Sequence, residues 1–155
     1  FAKSLGKETV ITFDADGQHS PKLLEKILEL LYLEKFDLVI CERPQSARSA
    51  EYIFNSYMYR KYRIKDMLCG LKGYRLKSFP IIDKKSKVHS IGTRFAVYGV
   101  QSGVKFTTMS IKVNDRSDSS RFGGNILANI KIIKALLWIM MGEFKKLGHS
   151  KEKNK

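Results

Sequence analysis

The order of apolar and polar residues along the chain predicts alternating strands and helices. Residues 9–13 form an apolar, β-branched run without a polar face, which is typical of a strand covered on both sides. Over residues 21–34 apolar side chains recur at helical spacing, and Ser20 and Pro21 suit the N-cap and the first helical position. Residues 37–41 form a second short apolar run, which predicts another buried strand. Strand, helix and strand in this order predict the α/β class with a mostly parallel sheet.

The rest of the chain continues this alternation. The pattern predicts helices over residues 46–65, 94–102 and 125–144, a strand or turn with two glycines over 69–76, a strand over 105–113 and a loop over 114–124. Gly103 is expected to end the second of these helices. No internal repeat is present.

Composition narrows the class of protein and its partners. A chain of 155 residues, 43% hydrophobic and 28% charged, is long enough for one folded domain. Its net charge of +14 indicates an anionic partner, which can be a nucleic acid, a phosphorylated substrate or an acidic membrane surface. Two isolated cysteines predict reduced thiols and a cytoplasmic location.

The segment DADGQHSP at residues 14–21 places two aspartates, Asp14 and Asp16, at the end of the first strand. A calcium loop would need glycine where His19 stands and a helix in place of the strand. A haloacid-dehalogenase-like phosphatase would use the same two aspartates as nucleophile and acid, but it also needs a later Gly-Asp pair, which the chain lacks. A strand-end turn with solvated aspartates is the simplest alternative.

Four segments in order resemble the family 2 glycosyltransferases, in the branch of dolichol-phosphate mannose synthase-like and polyprenyl-phosphate sugar transferases. The segments are DADGQHSP at 14–21, DLVICERP at 37–44, IKDMLCGLKGYRL at 64–76, and NDR with SSRFGG within 114–124. The resemblance implies a Rossmann-like nucleotide-diphospho-sugar transferase fold of the GT-A type. It also implies transfer of a sugar from a nucleotide-sugar donor to a polyprenyl phosphate or a cell-envelope glycan intermediate.

The same resemblance implies a role for individual residues. Asp14, Asp16 and Gln18 would surround Mg²⁺ or Mn²⁺, since hard cations prefer oxygen ligands. Asp66 would lie beside the sugar or acceptor as the catalytic carboxylate. The groups expected to bind the donor or a phosphate are Arg43, Gly70, Arg116, Ser120 and Arg121. Arg43 follows Cys41-Glu42 where the family often has Gly-Ser, which is a departure from the pattern.

The nature of the acceptor is suggested by an absence of carboxylates. Transfer to a hydroxyl usually needs a general base, and many members of the family place one before the last strand. Residues 84–114 contain no Asp or Glu, and Arg94 stands near the expected position. A phosphate acceptor is already anionic and needs no base, so the sequence favours a lipid phosphate, although Asp66 could still act as the base.

The C-terminal segments predict contact with a membrane. The apolar run within 125–144 is too short to span a bilayer, which takes about 20 residues. With Trp138 and apolar residues on one side and Lys131 and Lys134 on the other, the helix suits the membrane interface. A helix that packs on the sheet or on other protein, with a solvated basic tail, is the equal alternative. We therefore expect a catalytic portion at 1–124, an amphipathic helix at 125–144 and a basic disordered tail at 145–155. Such a protein would be peripheral at the inner face of the cell membrane.

Two further expectations concern the whole chain. Because family members have a βαβ unit before the metal motif, residues 1–124 are expected to be the C-terminal part of a catalytic domain whose N-terminal part is missing. A basic nucleic-acid-binding module is the competing class, given the net charge of +14. The aromatic residues fall mostly in apolar segments and not in an exposed stacking array, which argues against nucleic acid as a partner.

Overall fold

The computed structural model of the protein describes residues 1–14, 17, 19–44, 48–79, 91–113 and 125–140. In these ranges four strands and four α-helices follow one another, together with two short 3₁₀ helices. The elements are β1 (Thr9–Thr12), α1 (Lys22–Tyr32), β2 (Leu38–Glu42), α2 (Ser49–Tyr62), β3 (Lys72–Arg75), α3 (Ile91–Gln101), β4 (Phe106–Ser110) and α4 (Asn125–Met140).

The described strands form one sheet in the order β1-β3-β2-β4. β2 and β4 pair in parallel, whereas β3 is antiparallel to both β1 and β2. The α/β prediction is confirmed, but the sheet is mixed and not mostly parallel in its pairing. The physical reason is that α2 brings the chain back to the edge where β2 ends. There the backbone N–H of Lys65 donates to the Glu42 carboxylate at 2.6 Å, and β3 enters the sheet from this edge.

This topology collects several chain segments at one edge of the sheet. β1, β2 and β4 run in one direction and β3 in the other, so the carboxyl ends of three strands lie beside the amino end of β3. In α/β folds, ligands bind at the carboxyl ends of the parallel strands. The edge that contains residues 13–14, 43–44, 65–71 and 110–111 is therefore where a site is expected.

The core lies on both faces of the sheet. β2 is buried along its whole length, so its alternating side chains supply both faces. On one face Leu38 and Ile40 pack with side chains of α2 and α3, and on the other Val39 and Cys41 pack with α1. β1 was expected to be covered on both faces, and this was wrong: it lies at the end of the described sheet and is only half-buried.

Helix α1 packs directly over β3 because β3 has a glycine at the contact. A Cβ atom at Gly73 would lie 2.4 Å from Cγ2 of Ile27 and 3.0 Å from Cδ1 of Leu31. The helix begins at Lys22, one residue later than the sequence indicated. Its first turn is closed by the carbonyl groups of Ser20 and Pro21 and without a side-chain cap from Ser20.

The side chains of α4 are arranged differently from the prediction. Its inner side packs on α2 and the core through Ile132 and Leu136. Its exposed side contains both lysines, Lys131 and Lys134, together with three apolar side chains, Leu127, Ile130 and Leu137. Packing of the inner side on the protein agrees with the alternative interpretation of this helix, and the exposed side combines lysines with apolar side chains. The side chain of Trp138 and residues 141–155 lie outside the described part of the chain.

We predict that Gly73→Ala destabilises the fold. The added methyl group would overpack the contact with Ile27 and Leu31, and overpacking of this kind typically costs about 1–3 kcal/mol. Chemical denaturation would measure the loss. Gly92→Ala is the matched control, because a Cβ there has its nearest neighbour at 3.6 Å and lies in a helix, where alanine is favoured. Equal effects of the two substitutions would contradict the packing explanation.

Candidate active site

Asp14 and Gly70 meet at the carboxyl edge of the sheet, although 55 residues separate them in sequence. The hydroxyl of Thr12, at the end of β1, donates to the carbonyl of Gly70 at 2.6 Å. A Cβ atom on Gly70 would lie 1.9 Å from Oδ2 of Asp14. A side chain at position 70 would therefore require the exposed Asp14 carboxylate to move, so the glycine leaves this space to the carboxylate. The structure brings together two residues that the sequence assigned to metal and donor binding.

The surroundings of Asp14 fit part of a divalent-cation site. The carboxylate is exposed and lies in the space that a Cβ at Gly70 would fill. A hard cation that keeps several waters needs only one or two protein carboxylates. The other predicted ligands, Asp16 and Gln18, lie outside the described residues. Within the described ranges no three His, Cys, Asp or Glu residues come together as metal ligands, so the metal site stays a prediction.

Arg43 and Asp66 form an ion pair at the same edge of the sheet. Nε of Arg43 donates to Oδ2 of Asp66 at 2.6 Å, and Nη2 donates to Oδ1 at 3.1 Å. The guanidinium therefore binds both carboxylate oxygens. The backbone N–H of Arg43 also donates to Oδ2 at 3.2 Å. This bidentate geometry fixes the orientation of the arginine at the end of β2.

Asp66 accepts two more hydrogen bonds, and its side chain is almost fully buried. The Asn55 amide and the backbone N–H of Leu68 each donate to Oδ1 at 3.2 Å. Burial by itself would raise the pKa of Asp66, but the hydrogen bonds and charge of Arg43, with the Asn55 amide, lower it below its usual value. Burial would lower the pKa of Arg43. Hydrogen bonding to Asp66 outweighs this effect, and the pKa of Arg43 is raised.

This environment bears on the catalytic role expected of Asp66. A carboxylate held as an anion by five donors is a weak proton acceptor, because protonation would break these hydrogen bonds. The geometry suits a carboxylate that positions Arg43 better than one that removes a proton. The catalytic assignment of Asp66 stays a prediction, and its contact with Arg43 is the observed role.

Two residues of α2 that the sequence analysis missed complete the network. Glu51 accepts from Nη2 of Arg43 at 3.1 Å and from Nη1 of Arg48 at 3.0 Å. Asn55 joins Asp66 to the backbone, since its carbonyl oxygen accepts from the N–H of Met67 at 3.1 Å. Both side chains are buried and lie four residues apart on one helix face. The sequence contained one signal for them. Glu51 and Asn55 are polar residues four positions apart in a predicted helix, and they alternate with the apolar residues Phe54 and Met58, which have the same spacing.

A cleft of about 270 Å³ opens beside the ion pair, at the carboxyl ends of the parallel strands β2 and β4. Its lining residues are Glu42, Arg43, Pro44, Lys65, Asp66, Ser110 and Ile111. Both partners of the ion pair thus contribute to its wall. The predicted phosphate-binding residues Arg116, Ser120 and Arg121 lie outside the described residues, so their relation to the cleft stays a prediction.

The model of a protein family, glycosyl transferase family 2, matches residues 1–93. This segment includes the Asp14–Gly70 contact and the Arg43–Asp66 pair. The chain belongs to glycosyl transferase family 2. The Rossmann-like fold of the GT-A type, predicted from the resemblance, is confirmed by this membership. Family membership also favours the glycosyltransferase interpretation of Asp14 and Asp16 over the calcium-loop and phosphatase interpretations.

Two curated proteins are similar to the chain. An uncharacterized protein of Methanocaldococcus jannaschii is 28% identical over 142 residues, which cover 83% of this chain and 58% of the relative. A UDP-N-acetylglucosamine–dolichyl-phosphate N-acetylglucosaminyltransferase of Methanococcus voltae is 20% identical over 156 residues, covering 92% of this chain and 62% of the relative. The chain therefore spans about three fifths of the length of these relatives.

We predict that Asp66→Asn destabilises the protein by roughly 3 kcal/mol at neutral pH, because it breaks a buried ion pair and leaves Arg43 without its bidentate partner. Since the folded-state pKa of Asp66 is lowered, its contribution is complete above the unfolded-state value near 4 and is lost as pH falls further. Denaturation at pH 7 and pH 3 should therefore show a difference between variant and wild type that shrinks in acid.

Asp37→Asn provides the control for this measurement. Asp37 is more exposed, and its carboxylate lies 3.7 Å from Nε of Arg75. Its Oδ1 also accepts from the Ser78 hydroxyl at 2.6 Å, and asparagine keeps an oxygen for this hydrogen bond. The substitution should therefore cost less than about 1 kcal/mol, as for a surface ion pair. A loss from Asp66→Asn that stays constant between pH 7 and pH 3 would show that the effect does not come from the ionised carboxylate.

Proposed function

We propose that the protein transfers a sugar from a nucleotide-sugar donor to a polyprenyl phosphate with the help of Mg²⁺ or Mn²⁺. Family membership supports glycosyl transfer, and the name of the Methanococcus voltae relative supports a polyprenyl phosphate as acceptor. The observation on which the proposal rests is the contact between the Asp14 carboxylate and the Gly70 backbone. A side chain at position 70 would displace this carboxylate, which is exposed at the ligand-binding edge of the sheet.

The donor would bind through its diphosphate. When bound, the cation neutralises the charge that develops on the leaving nucleoside diphosphate. Asp14, Asp16 and Gln18 are proposed to hold this cation. The preceding strand gives Asp14 a fixed position, because the Thr12 hydroxyl ties β1 to the Gly70 carbonyl. The Gly70 backbone then limits the positions available to the carboxylate.

Arg43 is the described residue best placed to bind a phosphate of donor or acceptor. Arg43 lines the cleft, and its side chain is partly exposed. Ion pairs with Asp66 and Glu51 fix the orientation of its guanidinium. Because Nε and Nη2 already donate to these carboxylates, a phosphate would contact the remaining Nη1 side of the guanidinium through a charge-assisted hydrogen bond. Arg116, Ser120 and Arg121 are proposed to complete the phosphate contacts. The lack of carboxylates over residues 84–114 supports an acceptor that is already anionic, such as a lipid phosphate.

The metal site is tested by carboxylate substitutions in the full-length enzyme. Asp14→Asn and Asp16→Asn should each reduce Mn²⁺-dependent sugar transfer to polyprenyl phosphate by at least about 100-fold, because each removes an anionic ligand while keeping the side-chain shape. Radiolabelled UDP- and GDP-sugars would identify the donor in the same assay. The melting temperature should not change, since the Asp14 side chain is exposed.

Asp37→Asn again serves as control, because Asp37 precedes β2 and lies at the opposite edge of the sheet. It should retain activity. Full metal-dependent activity of both Asp14→Asn and Asp16→Asn would rule out the proposed site.

We further propose that the protein binds peripherally to the inner face of the cell membrane, where a polyprenyl phosphate would be found. No helix in the described ranges is both long enough and apolar enough to cross a bilayer. The exposed side of α4, which we call the α4 outer face, contains Leu127, Ile130, Lys131, Lys134 and Leu137. Apolar side chains interspersed with lysines suit insertion among anionic headgroups.

Vesicle binding tests the α4 outer face. The double substitution Lys131→Glu and Lys134→Glu should weaken binding to phosphatidylglycerol vesicles at least about 30-fold, since each lysine near an anionic surface contributes about 1 kcal/mol. Sedimentation with vesicles at physiological salt would measure it. Lys22→Glu with Lys26→Glu is the control, because these exposed lysines of α1 give the same change of net charge. Equal losses would indicate a net-charge effect and contradict a specific surface.

A further inference from the structure

Lys72, the first residue of β3, is buried in the middle of the sheet. The residue is only 1% exposed, and the strand lies between β1 and β2. Burial of an ammonium group is costly unless it is paired or hydrogen-bonded. Burial lowers the pKa of Lys72, while the charge of Asp66 acts in the opposite direction. A buried lysine in a strand therefore calls for a structural or functional reason.

The ammonium of Lys72 donates a hydrogen bond to the backbone carbonyl of Cys69. The next carbonyl along the chain, that of Gly70, accepts from the Thr12 hydroxyl at 2.6 Å. Two successive carbonyl groups of one turn are thus held by side chains from two different strands. The start of the same turn is held as well, since Asp66 accepts from Arg43 and from the N–H of Leu68.

The Asp14 carboxylate lies against this doubly held turn. The space that a Cβ at Gly70 would take is occupied by the carboxylate, so a shift of the turn by about 1 Å would change where Asp14 can lie. A side chain that fixes the Cys69 carbonyl therefore also limits the position of Asp14. Geometric changes of this size matter for metal ligands, because residues that orient ligands typically contribute about 10- to 100-fold in metal affinity.

We propose that Lys72 is a positioning residue, which holds the turn at Cys69 and Gly70 so that the Asp14 carboxylate is fixed in place for a divalent cation. The inference rests on the proposed function, since it assumes that Asp14 contributes to the metal site. On this proposal, the buried ammonium group of Lys72 serves to position a metal ligand and not to stabilise the fold.

Positioning and simple electrostatics predict opposite results. If Lys72 acted only as a nearby positive charge, it would repel a cation, and its removal would tighten metal binding. If it positions the turn, its removal loosens Asp14 and weakens metal binding. Lys72→Met removes both the charge and the donor, whereas Lys72→Gln removes the charge but keeps an N–H donor.

The experiment uses the whole protein in two measurements. Hydrogen exchange without metal reports the order of the turn, in a peptide that covers residues 66–72, with a peptide from α1 as internal reference. Calorimetric titration with MnCl₂ alone, without donor or acceptor, then gives the dissociation constant of the metal. Thermal melting of each variant reports stability.

We expect Lys72→Met to speed exchange in the 66–72 peptide several-fold, with no change in the α1 peptide, and to weaken Mn²⁺ binding about 10-fold or more. Lys72→Gln should lie closer to wild type in both measurements. The melting temperature of Lys72→Met should stay within about 3 °C of wild type, because methionine of similar length replaces a costly buried charge.

Several results would overturn the proposal. Unchanged exchange in Lys72→Met would show that the turn does not depend on the lysine. Tighter Mn²⁺ binding by both variants would show a purely electrostatic effect. A Lys72→Met protein that no longer folds would assign the lysine to stability, and so would contradict the inference, with Lys72→Gln as a second check. A wild-type protein that binds no Mn²⁺ would instead reject the metal site of the proposed function, and faster exchange in Lys72→Met would still support the effect on the turn.

Discussion

The insertion of β3 between β1 and β2 is the constraint on which the candidate site depends. β3 runs opposite to its neighbours, so its amino end lies at the edge where β1 and β2 end. This direction places Gly70 beside Asp14 and Asp66 beside Arg43. A parallel β3 would instead begin at the opposite edge, and the residues that precede it would be about a strand length away from both partners.

The charges at this edge are balanced locally, whereas the rest of the chain is strongly basic. Arg43 and Arg48 are paired with Asp66 and Glu51 in a mostly buried network. Such a network holds the guanidinium of Arg43 in one orientation without adding a large net charge. The net charge of +14 must then act mainly elsewhere. The α4 outer face, with two lysines among apolar side chains, is one such surface.

The site and the core share the same elements, so small changes in packing reach the functional groups. α2 contributes Phe54 and Met58 to the core and Glu51 and Asn55 to the network around Arg43. β3 contributes Gly73 to the contact with α1 and Lys72 to the turn next to Asp14. Because a packed interior resists local displacement, these shared elements can fix side chains more tightly than a loop could.

The sequence by itself determined the α/β class, the buried strand β2 and the family, because apolar periodicity and short ordered motifs are local properties. It also singled out Asp14, Arg43, Asp66 and Gly70, but with separate roles. Only the tertiary structure decided that Arg43 pairs with Asp66 and that Asp14 lies against Gly70. It also decided that Glu51 and Asn55 join the Arg43–Asp66 pair and that Lys72 donates to the Cys69 carbonyl. Strand direction and the two sides of α4 were also beyond the sequence. These features depend on contacts between residues far apart in the chain, and hydrophobic spacing along one segment does not encode which segments meet.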